Sequence, residues 1–140
     1  MSYNKNLPAS EITEKVTRKT VEFAEDFGKH LGTTESFTNE RGKKVYHYKL
    51  TTSQLRKFFG EVKRQQMEGY NETEFVLLKP KLAYAVGRDT NHTKIDDFYK
   101  VMSNLMDLVK DEKTFQNFIY VFEAIVAYHK ASEENRSINA

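Results

Sequence analysis

The chain has no cysteine and no tryptophan, and only two prolines and six glycines among its 140 residues. Without thiols there are no disulfide staples, cysteine nucleophiles or thiolate metal sites, and the composition fits a reducing compartment. No segment approaches the roughly 18 continuous apolar residues that a membrane span needs. The opening stretch MSYNKNLPASEITEKV also lacks the apolar core of a secretory signal. The expectation is a cytoplasmic protein with no membrane partner. In that setting the Asn-x-Ser/Thr matches at Asn71, Asn91 and Asn135 have no glycosylation meaning. No phosphate-binding loop, Rossmann glycine fingerprint or nucleophile elbow occurs. The four histidines, His30, His47, His92 and His129, show no i,i+4 metal spacing, so neither a metal nor another cofactor is expected.

What is present is helical periodicity and an uneven distribution of charge. The net charge is only +2, yet residues 41–88 carry 11 Lys/Arg against 4 Asp/Glu, while the flanking segments are net acidic. A basic block of this kind favours a polyanionic partner even in a nearly neutral chain. The alternative is a solvated lysine-rich face.

From residue 52 onward, apolar residues recur at helical spacing. Ile95, Phe98, Met102, Leu105, Met106 and Val109 make one stripe. Phe115, Phe118, Ile119, Phe122, Ile125, Val126 and His129 make another, with Thr114 as the expected N-cap. His129, on that stripe, reads as a hydrogen-bonded core histidine. A gappier stripe, Ile12, Val16, Phe23, Phe27 and Leu31, predicts one helix over 11–31. Residues 32–50 are polar and turn-rich, with an extended run at Val45, Tyr46 and Tyr48, and read as a mobile connection. Residues 132–140 read as a frayed tail. The fold expected is an all-α, compact bundle of about five helices in a single domain.

Two segments carry the basic block. In LTTSQLRKFFGEVKRQQ, Thr51 and Gln54 have capping-box spacing. Leu55, Phe58, Phe59 and Val62 form the inner stripe, and Arg56, Lys57, Lys63 and Arg64 share the opposite arc around Gly60. In LKPKLAYAVGR, a helix start near Pro80 puts Leu82, Ala85 and Val86 on one face and Lys81, Tyr84 and Arg88 on another, with Lys79 just upstream. Tyr46, Tyr48 and Tyr84 flank cations, a placement compatible with base stacking as well as with packing.

Three ordered segments then resemble a known family. TTSQLRKFFGEVKR, LKPKLAYAVGR and FQNFIYVFEAIVAYHK are similar to the signatures of the small helical subunit of type III-A CRISPR-Cas effector complexes, the Csm complexes, the second in that gene series. The resemblance spans about residues 50–131. It implies a non-catalytic subunit in an antiviral ribonucleoprotein, stacked in several copies along the duplex of guide crRNA and target RNA. Its neighbours would be the backbone filament subunits and the large cyclase-like subunit. Sequence-tolerant RNA binding places Lys and Arg on phosphates. The residues assigned to RNA are therefore Arg56, Lys57, Lys63, Arg64, Lys79, Lys81, Tyr84 and Arg88. Two alternatives stay open: a purely structural filament subunit, and a small metal-free ribonuclease built from His47, Tyr48 and Lys49.

Overall fold

The last apolar stretch becomes the axis of the molecule. A computed structural model describes residues 3–138, with side chains described through Glu133. It contains, in chain order, α1 (Ser10–Thr13), α2 (Arg18–Leu31), β1 (Glu35–Thr38), β2 (Lys44–His47), α3 (Thr52–Glu68), α4 (Glu72–Val76), α5 (Leu78–Arg88), α6 (Ile95–Met106) and α7 (Glu112–Ile138). Five of these helices have eleven or more residues, which is the expected helical bundle; α1 and α4 are single turns, and the small hairpin is an addition.

In α7, Phe115, Phe118, Ile119, Val121, Phe122 and Ile125 are all fully buried, so this half of the helix is enclosed on more than one side. Helix α2 runs beside it in the same direction. A Cβ on Gly28 would lie 2.7 Å from the Tyr128 Cβ and 2.8 Å from the His129 backbone nitrogen, so only glycine allows this approach. Helix α3 lies antiparallel on another side, tied by Lys63 to Glu123 at 2.7 Å and by Gln66 to Gln116 at 3.3 Å. A run of aromatic contacts, Phe58–Phe98, Phe58–Phe122 and Phe98–Phe122, joins α3 and α6 to this axis.

Several local expectations are refined. The single helix expected over 11–31 breaks at Thr17, because the buried Glu11 carboxylate accepts hydrogen bonds from the backbone and hydroxyl of both Thr17 and Thr20. Burial alone would raise the Glu11 pKa, but these bonds outweigh it and hold the group below the usual carboxylate range. The capping box of Thr51 and Gln54 forms as expected. At α7 the expected Thr114 cap is replaced by Asp111, whose carboxylate accepts from the Thr114 backbone at 2.8 Å. Thr114 is the third helical residue and returns the bond by accepting from the Asp111 backbone at 3.1 Å. Helix α5 starts at Leu78, two residues before Pro80, whose missing N–H falls in the first turn where no donor is required.

The segment 32–50 contains an antiparallel hairpin pairing Glu35 with His47, Ser36 with Tyr46, Phe37 with Val45 and Thr38 with Lys44. Its turn is closed by Asn39, whose side chain accepts from the backbones of Arg41 and Lys43, and by Gly42 at φ +76°. The backbone of the expected tail is helical as far as Ile138, and the side chains from residue 134, Asn135 included, lie outside the described residues. Among the described residues, no helix is long and apolar enough to cross a membrane.

Candidate nucleic-acid interface

Residues of α3 and α5, with Ile95 at the α6 N-terminus, line an open groove of about 840 Å³. Its floor is apolar, with Phe58, Leu78, Leu82 and Ile95, all anchored in the core. Its walls are cationic: Lys57 comes from α3, and Lys81 and Arg88 come from α5 together with Tyr84. The alternation follows from helix geometry. Leu78 and Leu82 are one turn apart and point inward, while Lys81, Tyr84 and Arg88 occupy the opposite face. Ala85 and Val86 are half-buried against the core, so the two-faced helix expected from sequence is present.

Tyr84 is 67 % exposed, and the Arg88 guanidinium lies 5.6 Å from its ring centroid. This cation–π contact pre-sets Arg88 without neutralising it. Two acids also line the groove, and the first, Glu61, has Lys81 at 3.9 Å and Arg64 at 2.7 Å. The hydrogen bond from Arg64 is the main reason Glu61 stays below the usual carboxylate range. Asp89, at the far end, is turned to its own loop and accepts from the Thr93 backbone at 2.8 Å.

The eight residues singled out from sequence therefore separate into groups. Lys57, Lys81, Tyr84 and Arg88 meet in the groove. Arg56 lies exposed on α3 outside the groove, on the side of the helix it shares with Lys63, and neither Arg56 nor Lys57 has a side-chain hydrogen bond or ion pair among the described residues. The remaining three are engaged within the chain. Lys63 bonds Glu123, Lys79 bonds Asp107, and Arg64 pairs with Glu61, Glu68 and Glu74. The arc on α3 thus has two edges, one leaning to α7 through Lys63 and one to α5 through Glu61. Gly60 sits between them, and a Cβ there would meet nothing within 4 Å, so no contact among the described residues requires the glycine.

Three of the four histidines, scattered in sequence, come together in space. His30 Nε2 lies 2.7 Å from Asp97, His47 Nε2 lies 2.9 Å from Asp96, and the His47 and His92 rings stack at 5.0 Å. Lys94, fully buried, donates to the Glu35 carboxylate at 2.7 Å and to the His30 carbonyl at 2.8 Å. This network pins the hairpin to α2 and to the start of α6. Sequence spacing could not reveal it, because its partners are separated by 49 and 67 residues. The one local clue is the Asp96-Asp97 pair in the first turn of α6, a placement that the helix dipole alone would explain.

The hydrogen bond from Lys94 holds Glu35 below the usual carboxylate range; Asp97, pushed upward by burial, is brought lower by His30. Ligand atoms of His47, Asp96 and Asp97 fall within 4.8 Å of one another, close enough to share a cation. They face the positive end of α6, and Asp97 and His47 already have partners. His129 is buried and bonded to the Leu50 carbonyl at 2.7 Å, the core role expected of it. The residues considered for a nuclease do not converge: His47 points inward to Asp96, Tyr48 is exposed, and Lys49 reaches Glu133 at 3.6 Å.

Searches of the curated proteins and of the solved structures each returned no match. A protein-family model does match, described as Csm2 Type III-A, over residues 33–135. It takes in the hairpin as well as all three signature segments, and so begins upstream of the region where the sequence motifs were recognised. With about three-quarters of its length inside that match, the chain belongs to the Csm2 type III-A family and is a small subunit of the type III-A CRISPR-Cas Csm complex.

Proposed function

We propose that this subunit holds the backbone of target RNA along the guide-target duplex, without reading its sequence and without catalysing its cleavage. The observation that carries the reading is the convergence of Lys57, Lys81 and Arg88 with Tyr84 on one open groove, with the exposed Arg56 further round α3. Cations on two rigid helices, over an apolar floor, suit a phosphate chain whose bases are paired elsewhere. Lys63, Arg64 and Lys79 extend the basic surface and would exchange an exposed carboxylate for a phosphate on assembly. Exposed pairs of this kind are weak enough for that exchange.

Each copy contributes few phosphate contacts, so useful affinity requires several copies in register along the duplex. That arithmetic fits a stacked subunit working with other Csm subunits, in antiviral defence in the cytoplasm. The test is target-RNA protection by reconstituted complexes carrying Arg56→Glu, Lys57→Glu and Arg88→Glu together. Protection should fall and become more salt-sensitive. A variant complex that assembles and protects target RNA as the unmodified one does would leave a purely structural filament role.

A further inference from the structure

We propose that the outer face of the β1–β2 hairpin is a second nucleic-acid contact, a stacking platform for unpaired RNA bases formed by Tyr46 and Tyr48. The proposal rests on the reading of this subunit as RNA-binding but uses a different surface and a different chemistry. Tyr46 and Tyr48 lie two residues apart along one extended run, so their side chains share a face. Their rings are nearly parallel, 21° apart with centroids at 5.6 Å, and they are 39 % and 46 % exposed.

The residues across the strand leave these rings uncovered. Ser36 stands opposite Tyr46, and Thr38 opposite Lys44. Lys44 reaches over the Tyr46 ring at 5.8 Å, and residues 41–44 add Arg41 and Lys43 with no acid among them. Exposed aromatic planes flanked by cations are what base stacking with phosphate attraction requires, and the combination tolerates any sequence.

The platform is also held on both edges. β1 pairs with it on one side. On the other, the Tyr48 backbone N–H donates to the His92 carbonyl at 2.9 Å, and the Tyr48 carbonyl accepts from Lys94 at 2.8 Å. The His92 ring completes the clamp with a 2.6 Å contact to the Tyr46 carbonyl. A ligand therefore meets rings whose backbone is already fixed, which lowers the cost of ordering them.

Fluorescence anisotropy with the full chain tests this, using a short labelled oligouridylate and the same oligomer made of abasic ribose-phosphate units. The unmodified chain should hold the intact oligomer about tenfold more tightly than the abasic one. Tyr46→Ala with Tyr48→Ala should erase that difference, and Tyr46→Phe with Tyr48→Phe should keep it, because stacking needs the ring and not the hydroxyl. Equal binding of intact and abasic oligomers, no binding of the intact oligomer, or a preference that survives in the alanine variant would overturn the platform. If the alanine variant binds RNA normally but fails to enter reconstituted complexes, this face covers a protein neighbour and the proposal falls. Lys57→Glu with Arg88→Glu separates the two surfaces: it should weaken both oligomers alike. If it changes neither while the intact oligomer remains preferred, the groove reading fails and the platform stands.

Discussion

The seam between α2 and α7 and the groove between α3 and α5 use the same residue types in opposite ways. In the seam, Gly28 lets two backbones touch; in the α3–α5 region, Gly60 and Gly87 face open space. Beside the seam, Lys94 is fully buried and bonded to Glu35 and the His30 carbonyl, whereas Lys57 in the groove stands exposed with no side-chain partner among the described residues. One half spends its small residues and charges on its own shape. The other leaves them for something else, and residue type alone does not say which.

The glycines offer the sharpest way to break that comparison. Gly28→Ala forces a methyl group against the Tyr128 side chain and the His129 backbone, and should destabilise the free chain by about 1–3 kcal/mol in urea unfolding. Gly60→Ala adds the same methyl to an open position inside α3 and should stabilise it by up to about 1 kcal/mol, since alanine is the better helix former. Opposite signs for one chemical change are the expected outcome. Equal losses would mean that α3 is not free at Gly60.

The lysines give the next largest contrast. Lys94→Met removes a charged donor from Glu35 and leaves the His30 carbonyl short of a partner, at a cost of about 1.5–3 kcal/mol by the same unfolding measurement. Lys57→Met should stay within about 0.5 kcal/mol, the range of an exposed substitution with no lost contact. If the two cost the same, the network around Lys94 is not what fixes the hairpin.

Acid should separate the halves in the same direction. Glu35 and Asp97, at the hairpin, and Glu11 and Glu133, along the α2–α7 side, are all held below the usual carboxylate range. A depressed folded pKa gives stability that is present above the unfolded value, near 4, and is lost as pH falls through the folded value. In the groove, Glu61 is held this way by Arg64. Hydrogen exchange corrected for intrinsic amide chemistry should therefore show β1 and β2 losing protection at a higher pH than α3 and α5. Loss in the reverse order would remove these carboxylates as the fastening.

How much of this was legible in sequence follows the range of the interactions. The stripes Ile95 to Met106 and Phe115 to Val126 fix both the helices and the faces they bury, because periodicity is local; Val109, expected on the first stripe, is buried beyond the end of α6. The same arithmetic put Lys81, Tyr84 and Arg88 outward and Leu82 inward. It also placed Arg56, Lys57, Lys63 and Arg64 on one arc, but the arc is curved, and only the packing of α5 and α7 against its edges separates Lys57 from Lys63. The hairpin was read as a connection because its strands are four residues long: β1 is exposed at every position, and β2 alternates between exposed Lys44 and Tyr46 and covered Val45 and His47 over too short a run to stand out. The helix break at Thr17 depends on a carboxylate six residues away turning back, and the histidine network on pairs in distant segments. Neither leaves a periodic trace.

The smallest expected effect decides how far the basic surface reaches. Lys63 and Glu123 are each about two-fifths exposed, so a double-mutant cycle in the free chain should give a coupling of only about 0.2–1 kcal/mol. A pair this weak can be traded for a phosphate. Glu123→Gln would leave the free chain nearly as stable, release Lys63 and remove a negative charge from the α7 edge of the arc. In assembled complexes it should strengthen RNA retention, and the salt dependence should steepen by less than about one unit in the logarithmic slope, the signature of at most one added phosphate contact. An unchanged slope would confine RNA contact to the Lys57, Lys81 and Arg88 side of α3 and make Lys63 part of the scaffold that orients it.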